Sequence, residues 1–110
     1  MNFEIDIKAL SVNIAWQGRR FKTKNYLNFE TEILLLLPKH VKIKGEVEIH
    51  YTFYLKNYAL SDVDNLIKPL QDCLVKGGLI EDDRKIVFLS AEKRKSKRNY
   101  IEVEINKYEG

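Results

Sequence analysis

The residues best placed to do chemistry lie in one stretch, DVDNLIKPLQDCLVKGGLIEDD, running from Asp62 to Asp83. It carries the acids Asp62, Asp64, Asp72, Glu81, Asp82 and Asp83, with one early lysine, Lys68. Asp62 and Asp64 are two apart, a spacing that sets side chains about 200° apart on a helix but on one side of an extended segment. Joint action therefore requires that the pair precede or straddle a helix start. Asp and Asn favour such positions, where the helix N-terminus stabilises negative charge by about 0.3–1 kcal/mol. Lys68 lies four after Asp64, which on a helix brings ammonium and carboxylate over one face. Pro69 lacks a backbone donor, so the first turn is expected to be irregular or bent. Gly77 and Gly78 end the helix, and a short turn beyond them could bring Glu81, Asp82 and Asp83 back toward the sheet. Two or three carboxylates plus a phosphate oxygen would complete an octahedral Mg²⁺ site. Such an ion polarises a phosphate and acidifies bound water, and a nearby lysine can stabilise the developing charge. These residue types suffice for phosphodiester hydrolysis. With one cysteine, Cys73, and two histidines, His40 and His50, there is no Cys/His zinc set, so any metal would be held by carboxylates.

The elements that must position this stretch can be read from periodicity. Phe3, Ile5 and Ile7 alternate with charged residues, as in a half-buried strand. Asn13 to Lys24 reads as a polar loop around Gly18. From Thr23 to Leu37 the apolar residues Tyr26, Phe29, Ile33, Leu36 and Leu37 recur at helical spacing until Pro38. Glu46 to Leu55 alternates strictly and is the clearest strand. Leu66, Ile67, Leu70, Cys73 and Leu74 mark one side of a second helix, with Cys73 a small core residue. Strands follow at about Lys85 to Lys93 and Asn99 to Asn106, joined by a basic hairpin loop from Lys93 to Asn99. The order β-α-β-α-β-β predicts an α+β fold with helices packed on a small mixed or antiparallel sheet.

At 110 residues, without repeats or a linker rich in Pro, Gly and Ser, the chain is expected to be a single domain, 1–110. It has room for one core but not for a deep enclosed pocket. The longest apolar run, Ile33 to Leu37, is far short of the ~20 residues that cross a bilayer, which excludes a membrane-spanning role. The N-terminus lacks the layout of a signal peptide, so the expected compartment is the cytoplasm. Lys and Arg total 19 against 16 acids. The distribution says more than the net charge of +3. Basic residues gather at Arg19, Arg20, Lys22 and Lys24, at Lys39, Lys42 and Lys44, and at Lys93, Arg94, Lys95, Lys97 and Arg98. An acid cluster among basic segments suits a metal-dependent enzyme acting on a polyanion. Each feature alone has a plainer reading: Asp-x-Asp pairs cap turns, Lys68 would pair with Asp64, and a basic run keeps a hairpin soluble.

Taken together, DVDNLIK, the KGG turn and the closing EDD resemble the RusA family of Holliday junction resolvases at the family's spacing. The segment Ser11 to Thr23 is similar to the loop before the first helix in many members. The resemblance implies that Asp62, Asp64 and Asp83 are catalytic, metal-binding carboxylates and that Lys68 is the catalytic lysine, with Asp82 at a motif position of second rank. It implies a homodimer with one Mg²⁺-dependent site per subunit, Mn²⁺ being an alternative ion, the two sites nicking opposite strands of a four-way DNA junction. Arg19, Arg20, Lys22, Lys24, Lys93, Arg94, Lys95, Lys97 and Arg98 would then hold the DNA backbone. Trp16 and Phe21 could stack on bases, core or dimer packing being the other reading. Competing expectations are a catalytically inactive DNA-binding dimer of the same fold and a nuclease for other branched DNA.

Overall fold

The computed structural model describes residues 1–17 and 21–110. Gly18 and the DNA-contact candidates Arg19 and Arg20 lie outside the described residues. In chain order the elements are β1 (Asn2–Ile5), α1 (Val12–Ala15), β2 (Trp16–Gln17), β3 (Phe21–Lys22), α2 (Lys24–Leu36), β4 (Val47–Leu55), α3 (Ile67–Lys76), β5 (Ile86–Lys95) and β6 (Tyr100–Lys107). Short 3₁₀ turns occupy Tyr58–Leu60, Val63–Leu66 and Asp83–Lys85.

Alternation makes β4 the centre of the sheet. Val47, Ile49, Tyr51, Phe53 and Leu55 are buried, while the residues between them are half-exposed on the other face. The four-stranded sheet has the order β1-β6-β4-β5, with β4 parallel to β5 and antiparallel to β6. It is therefore a mixed α+β fold with the helices over one apolar face. Ile33 and Phe29 of α2 and Leu70, Cys73 and Leu74 of α3 join the strand residues in one core. Among the described residues, no helix is long and apolar enough to cross a membrane.

Two expectations are corrected. The stretch read as a loop before α2 contains a one-turn helix capped by Ser11 and the two-residue ribbon β2/β3. Its Thr23 then caps α2, accepting from Tyr26 N–H at 3.2 Å. The basic run after residue 93 is not a hairpin loop, because β5 and β6 do not pair but lie on opposite sides of β4. Lys93, Arg94 and Lys95 are strand residues, and the connection between the strands crosses the end of β4. Two hydrogen bonds fasten that crossing, Ser96 N–H to Leu55 O at 3.0 Å and Lys56 N–H to Asn99 Oδ1 at 2.9 Å.

Candidate active site

Asp62 is extended (φ −93°, ψ 122°) and stands just before the 3₁₀ turn Val63–Leu66, whose second residue is Asp64. The pair thus straddles an irregular start, and α3 begins only at Ile67. Pro69, third in α3, has no N–H to leave unpaired, which fits it to the first turn. Both carboxylates are exposed and neither has an ion-pair partner among the described residues.

Lys68 takes a different partner from the one its spacing suggested. Its Nζ lies 3.4 Å from Asp72 Oδ1, because Asp64 belongs to the 3₁₀ turn while Asp72 is one turn further along α3. The Tyr26 hydroxyl donates to the other oxygen of Asp72 at 3.4 Å. Burial and the neighbouring Asp72 charge push Tyr26 up, so it remains a donor. A chain from the buried face of α2 through Asp72 therefore holds the lysine. The sequence placed Asp72 in the acid cluster without a role; its i, i+4 relation to Lys68 was the available signal.

The turn after α3 is a Schellman arrangement. Leu79 N–H reaches Leu74 O at 3.1 Å, Gly78 N–H reaches Val75 O at 3.0 Å, and Leu74 and Leu79 are both fully buried. It needs Gly78 at φ +83°, where an L side chain is strained. At Gly77 a Cβ would meet Leu37 Cδ1 at 2.7 Å, so a side chain there would have to push the Leu37 methyl aside. Beyond the turn, Glu81 accepts from Gly45 N–H, which holds its carboxyl below the usual range.

Asp82 caps the turn Asp83–Lys85, accepting from Arg84 N–H at 3.0 Å, and this bond holds its carboxyl down to about 2. Asp82 thus has a capping role. A hydrogen bond with Asp82 pushes Asp83 above the ordinary carboxylate value, while the nearby Lys68 charge pulls the other way. Lys68 and Asp83 are therefore brought into each other's field.

Asp62, Asp64 and Asp83 do not gather as closely. Among the described residues there is no group of three or more His, Cys, Asp or Glu side chains able to hold a metal ion. Asp62 and Asp64 follow the C-terminal end of β4 and Asp83 precedes the N-terminal end of the parallel strand β5, with α3 between them in the chain. The donor chemistry nevertheless suits Mg²⁺: exposed carboxylates from a short segment, one or two of which commonly suffice when phosphate oxygens and water fill the other positions.

The basic candidates divide by their partners. Lys22 bonds Glu30 at 3.0 Å, and Lys76 bonds the same carboxylate at 2.6 Å. Lys93 lies over the Tyr58 ring at 4.3 Å and donates to Tyr58 O and Ser61 O, both at 2.8 Å. Its charge is thus engaged in the segment leading to Asp62. Arg94 pairs with Glu92 at 3.0 Å, and Arg98 pairs with Asp6 at 3.3 Å and covers the Tyr100 ring. Lys24, Lys95 and Lys97 are exposed with no ion pair among the described residues. Trp16 packs edge-on against buried Tyr26, whereas Phe21 is 71% exposed. Beside Asp62 opens a groove of about 700 Å³ between the segment after β1, α2 and the 3₁₀ turns.

The exposed carboxylates Asp62 and Asp64 stand at the surface of a small α+β domain, Asp62 beside an open groove. Comparison with known proteins gives the family. Residues 11–106 match Endodeoxyribonuclease RusA. A crossover junction endodeoxyribonuclease of Lactococcus phage r1t is 32% identical over 110 residues, covering 90% of this chain and 82% of the relative. The protein of the same name from Aquifex aeolicus is 32% identical over 72 residues, covering 63% and 57%. The chain belongs to the RusA family of endodeoxyribonucleases.

Proposed function

We propose that the protein is a cytoplasmic, divalent-metal-dependent endodeoxyribonuclease that acts as a homodimer on four-way DNA junctions, resolving them by paired, symmetric nicks. The observation that carries this reading is the complete motif in register, Asp62, Asp64, Lys68 and Asp83, within a family match covering nearly the whole chain. The full acid and lysine set disfavours an inactive DNA-binding dimer.

Asp62 and Asp64 would hold Mg²⁺, or Mn²⁺ in its place, with Asp83 as the third carboxylate of the set. Such an ion polarises the phosphate and makes hydroxide available near neutral pH. The protein's own part is positional. Lys68, held by Asp72, presents an ammonium to the charge that builds on the phosphate, and Asp83 lies within its field. Exposed Lys24, Lys95 and Lys97 offer cations to the DNA backbone, and the paired Arg94 and Arg98 can exchange a surface carboxylate for a phosphate.

Purified protein incubated with Mg²⁺ and a synthetic four-way junction should cut it symmetrically, faster than a flap, fork or linear duplex. Asp64→Asn should abolish cutting while junction affinity is kept or increased, because one ligand and one repulsive charge are removed. A junction left intact across pH and salt would refute the activity. Equal cutting of flaps would move the substrate to other branched DNA, and wild-type rates in Asp64→Asn would remove Asp64 from the site.

A further inference from the structure

Two buried tyrosines reach α3 from the core and peg consecutive residues of it. Tyr51 of β4 donates to Gln71 Oε1 at 3.0 Å, and Tyr26 of α2 donates to Asp72 Oδ2 at 3.4 Å. Both side chains are fully buried. Phenylalanine would fill either place without a polar atom to satisfy, so what each hydroxyl adds is its bond to the helix. The two pegs differ in what lies beyond them. Among the described residues Gln71 has no other side-chain partner, whereas Asp72 uses its second oxygen to hold Lys68 Nζ, also at 3.4 Å.

Alone, that ion pair would fix little. The side chains of Lys68 and Asp72 are 61% and 32% exposed, and a pair one helical turn apart in water barely restrains a long lysine. Tyr26 changes this by giving the carboxylate a fixed partner on its buried side. Both bonds at Asp72 are long, and hydrogen bonds among catalytic groups commonly tighten once substrate is in place.

The Tyr26 ring is itself gripped from outside the core. Trp16 and Lys22 stand directly opposite each other across the β2/β3 ribbon. Trp16 meets the ring edge-on at 5.5 Å, and Lys22 Nζ lies 5.0 Å from the ring centroid. Lys22 is tied in turn to Glu30, one turn further along α2. A continuous set of contacts therefore runs from the ribbon, through one tyrosine, to the carboxylate that holds Lys68.

We propose that Tyr26 couples the β2/β3 ribbon to Lys68 with Asp72 as the relay. The ribbon sets the ring, the hydroxyl sets the carboxylate, and the carboxylate sets the ammonium. Trp16, Tyr26 and Asp72 are thus positioning residues for the cutting step. The inference rests on the endonuclease reading above and adds that a substrate drawn against the ribbon is felt at the lysine.

Contiguous contacts do not by themselves establish coupling, which double-mutant cycles measure. Single-turnover cutting of a four-way junction with Mg²⁺ is compared for Tyr26→Phe, Trp16→Leu, Asp72→Ala, the two double variants built on Asp72→Ala, and Tyr51→Phe. Tyr26→Phe should cut about tenfold more slowly, the scale of one hydrogen bond to a charged acceptor. Asp72→Ala should cut about a hundredfold more slowly, the scale of a displacement of about 1 Å. Trp16→Leu should lose about threefold, the scale of one edge-to-face aromatic contact. Adding Tyr26→Phe or Trp16→Leu to Asp72→Ala should cost nothing further, because the relay is already broken. Tyr51→Phe loses an equivalent buried hydroxyl from α3 yet should cut at the wild-type rate. Junction affinity without Mg²⁺ should match wild type in Tyr26→Phe and Asp72→Ala. An unchanged rate in Tyr26→Phe, equal slowing in Tyr51→Phe and Tyr26→Phe, or additive losses in either double variant overturns the inference alone if the wild type cuts junctions. If the wild type cuts none, the endonuclease reading falls and takes the inference with it.

Discussion

Replacing Lys93 by methionine separates two roles for a basic residue in this fold. The ammonium donates to Tyr58 O and Ser61 O at 2.8 Å each and lies 4.3 Å from the Tyr58 ring centroid. Hydrogen bonds from a charged donor contribute about 1.5–3 kcal/mol each, and an exposed cation–π contact about 0.5–1 kcal/mol. Tyr58 is exposed and Ser61 half-exposed, so water can replace much of what is lost. The net cost should be near 2 kcal/mol, placed on the segment before Asp62 rather than on the whole domain. Methionine keeps most of the apolar stem, so packing is little changed. Amide exchange in residues 57–62 should accelerate by about thirtyfold, following from about 1.4 kcal/mol per tenfold. Junction cutting should slow at saturating substrate, and the salt dependence of junction binding should match wild type. A backbone-contact role predicts the reverse, unchanged exchange and a log–log salt slope reduced by about one. That second outcome would refute the assignment of Lys93 to the Asp62 segment. Lys95→Met, with no ion pair to lose among the described residues, is the internal comparison.

Two further expectations concern stability. Burial pushes Glu30 up, but hydrogen bonds from Lys76 and Lys22 outweigh it and bring the carboxyl below its ordinary value. A depressed carboxylate stabilises the fold fully above its unfolded pKa, about 4.3, and the contribution is lost as pH falls through the folded value. Glu30→Gln should therefore cost about 1–2 kcal/mol near neutrality, with Lys76 half-exposed limiting the figure, and the deficit should shrink below about pH 4 in urea titrations. Gly78→Ala places a Cβ in open space but at φ +83°, so its cost is backbone strain of about 1–2 kcal/mol, read as a fall in melting temperature of several degrees.

Local chemistry made much of the fold legible. Thr23, the apolar spacing and Pro38 bracket α2, β4 shows unbroken alternation, and the double glycine marks the end of α3, because caps, periods and turns act over a few residues. The irregular entry to α3 was likewise visible in Asp62, Asp64 and Pro69. What was illegible is non-local. Nothing within residues 85–106 distinguishes a hairpin from two strands flanking a third, so Lys93 read as a loop cation rather than a tie to Tyr58 and Ser61. The partner of Lys68 depended on whether Asp64 lay in a 3₁₀ turn or the α-helix, a difference of one hydrogen-bond register.

The strand order also bears on how the chain comes to fold. β6 lies between β1 and β4, so the two earliest full strands never pair with each other and are joined in the sheet only through the last one. Ile5 pairs with Ile101 and Phe3 with Val103, nearly the full length of the chain apart. During synthesis, β4, α3 and β5 can associate as a local unit that already carries the acids and Lys68, yet the apolar edge of β4 stays uncovered until Ile101, Val103 and Ile105 emerge. Closure of the sheet is therefore the slow, late, long-range event, and the nuclease motif is assembled on a scaffold that locks only when the final strand slides into its middle.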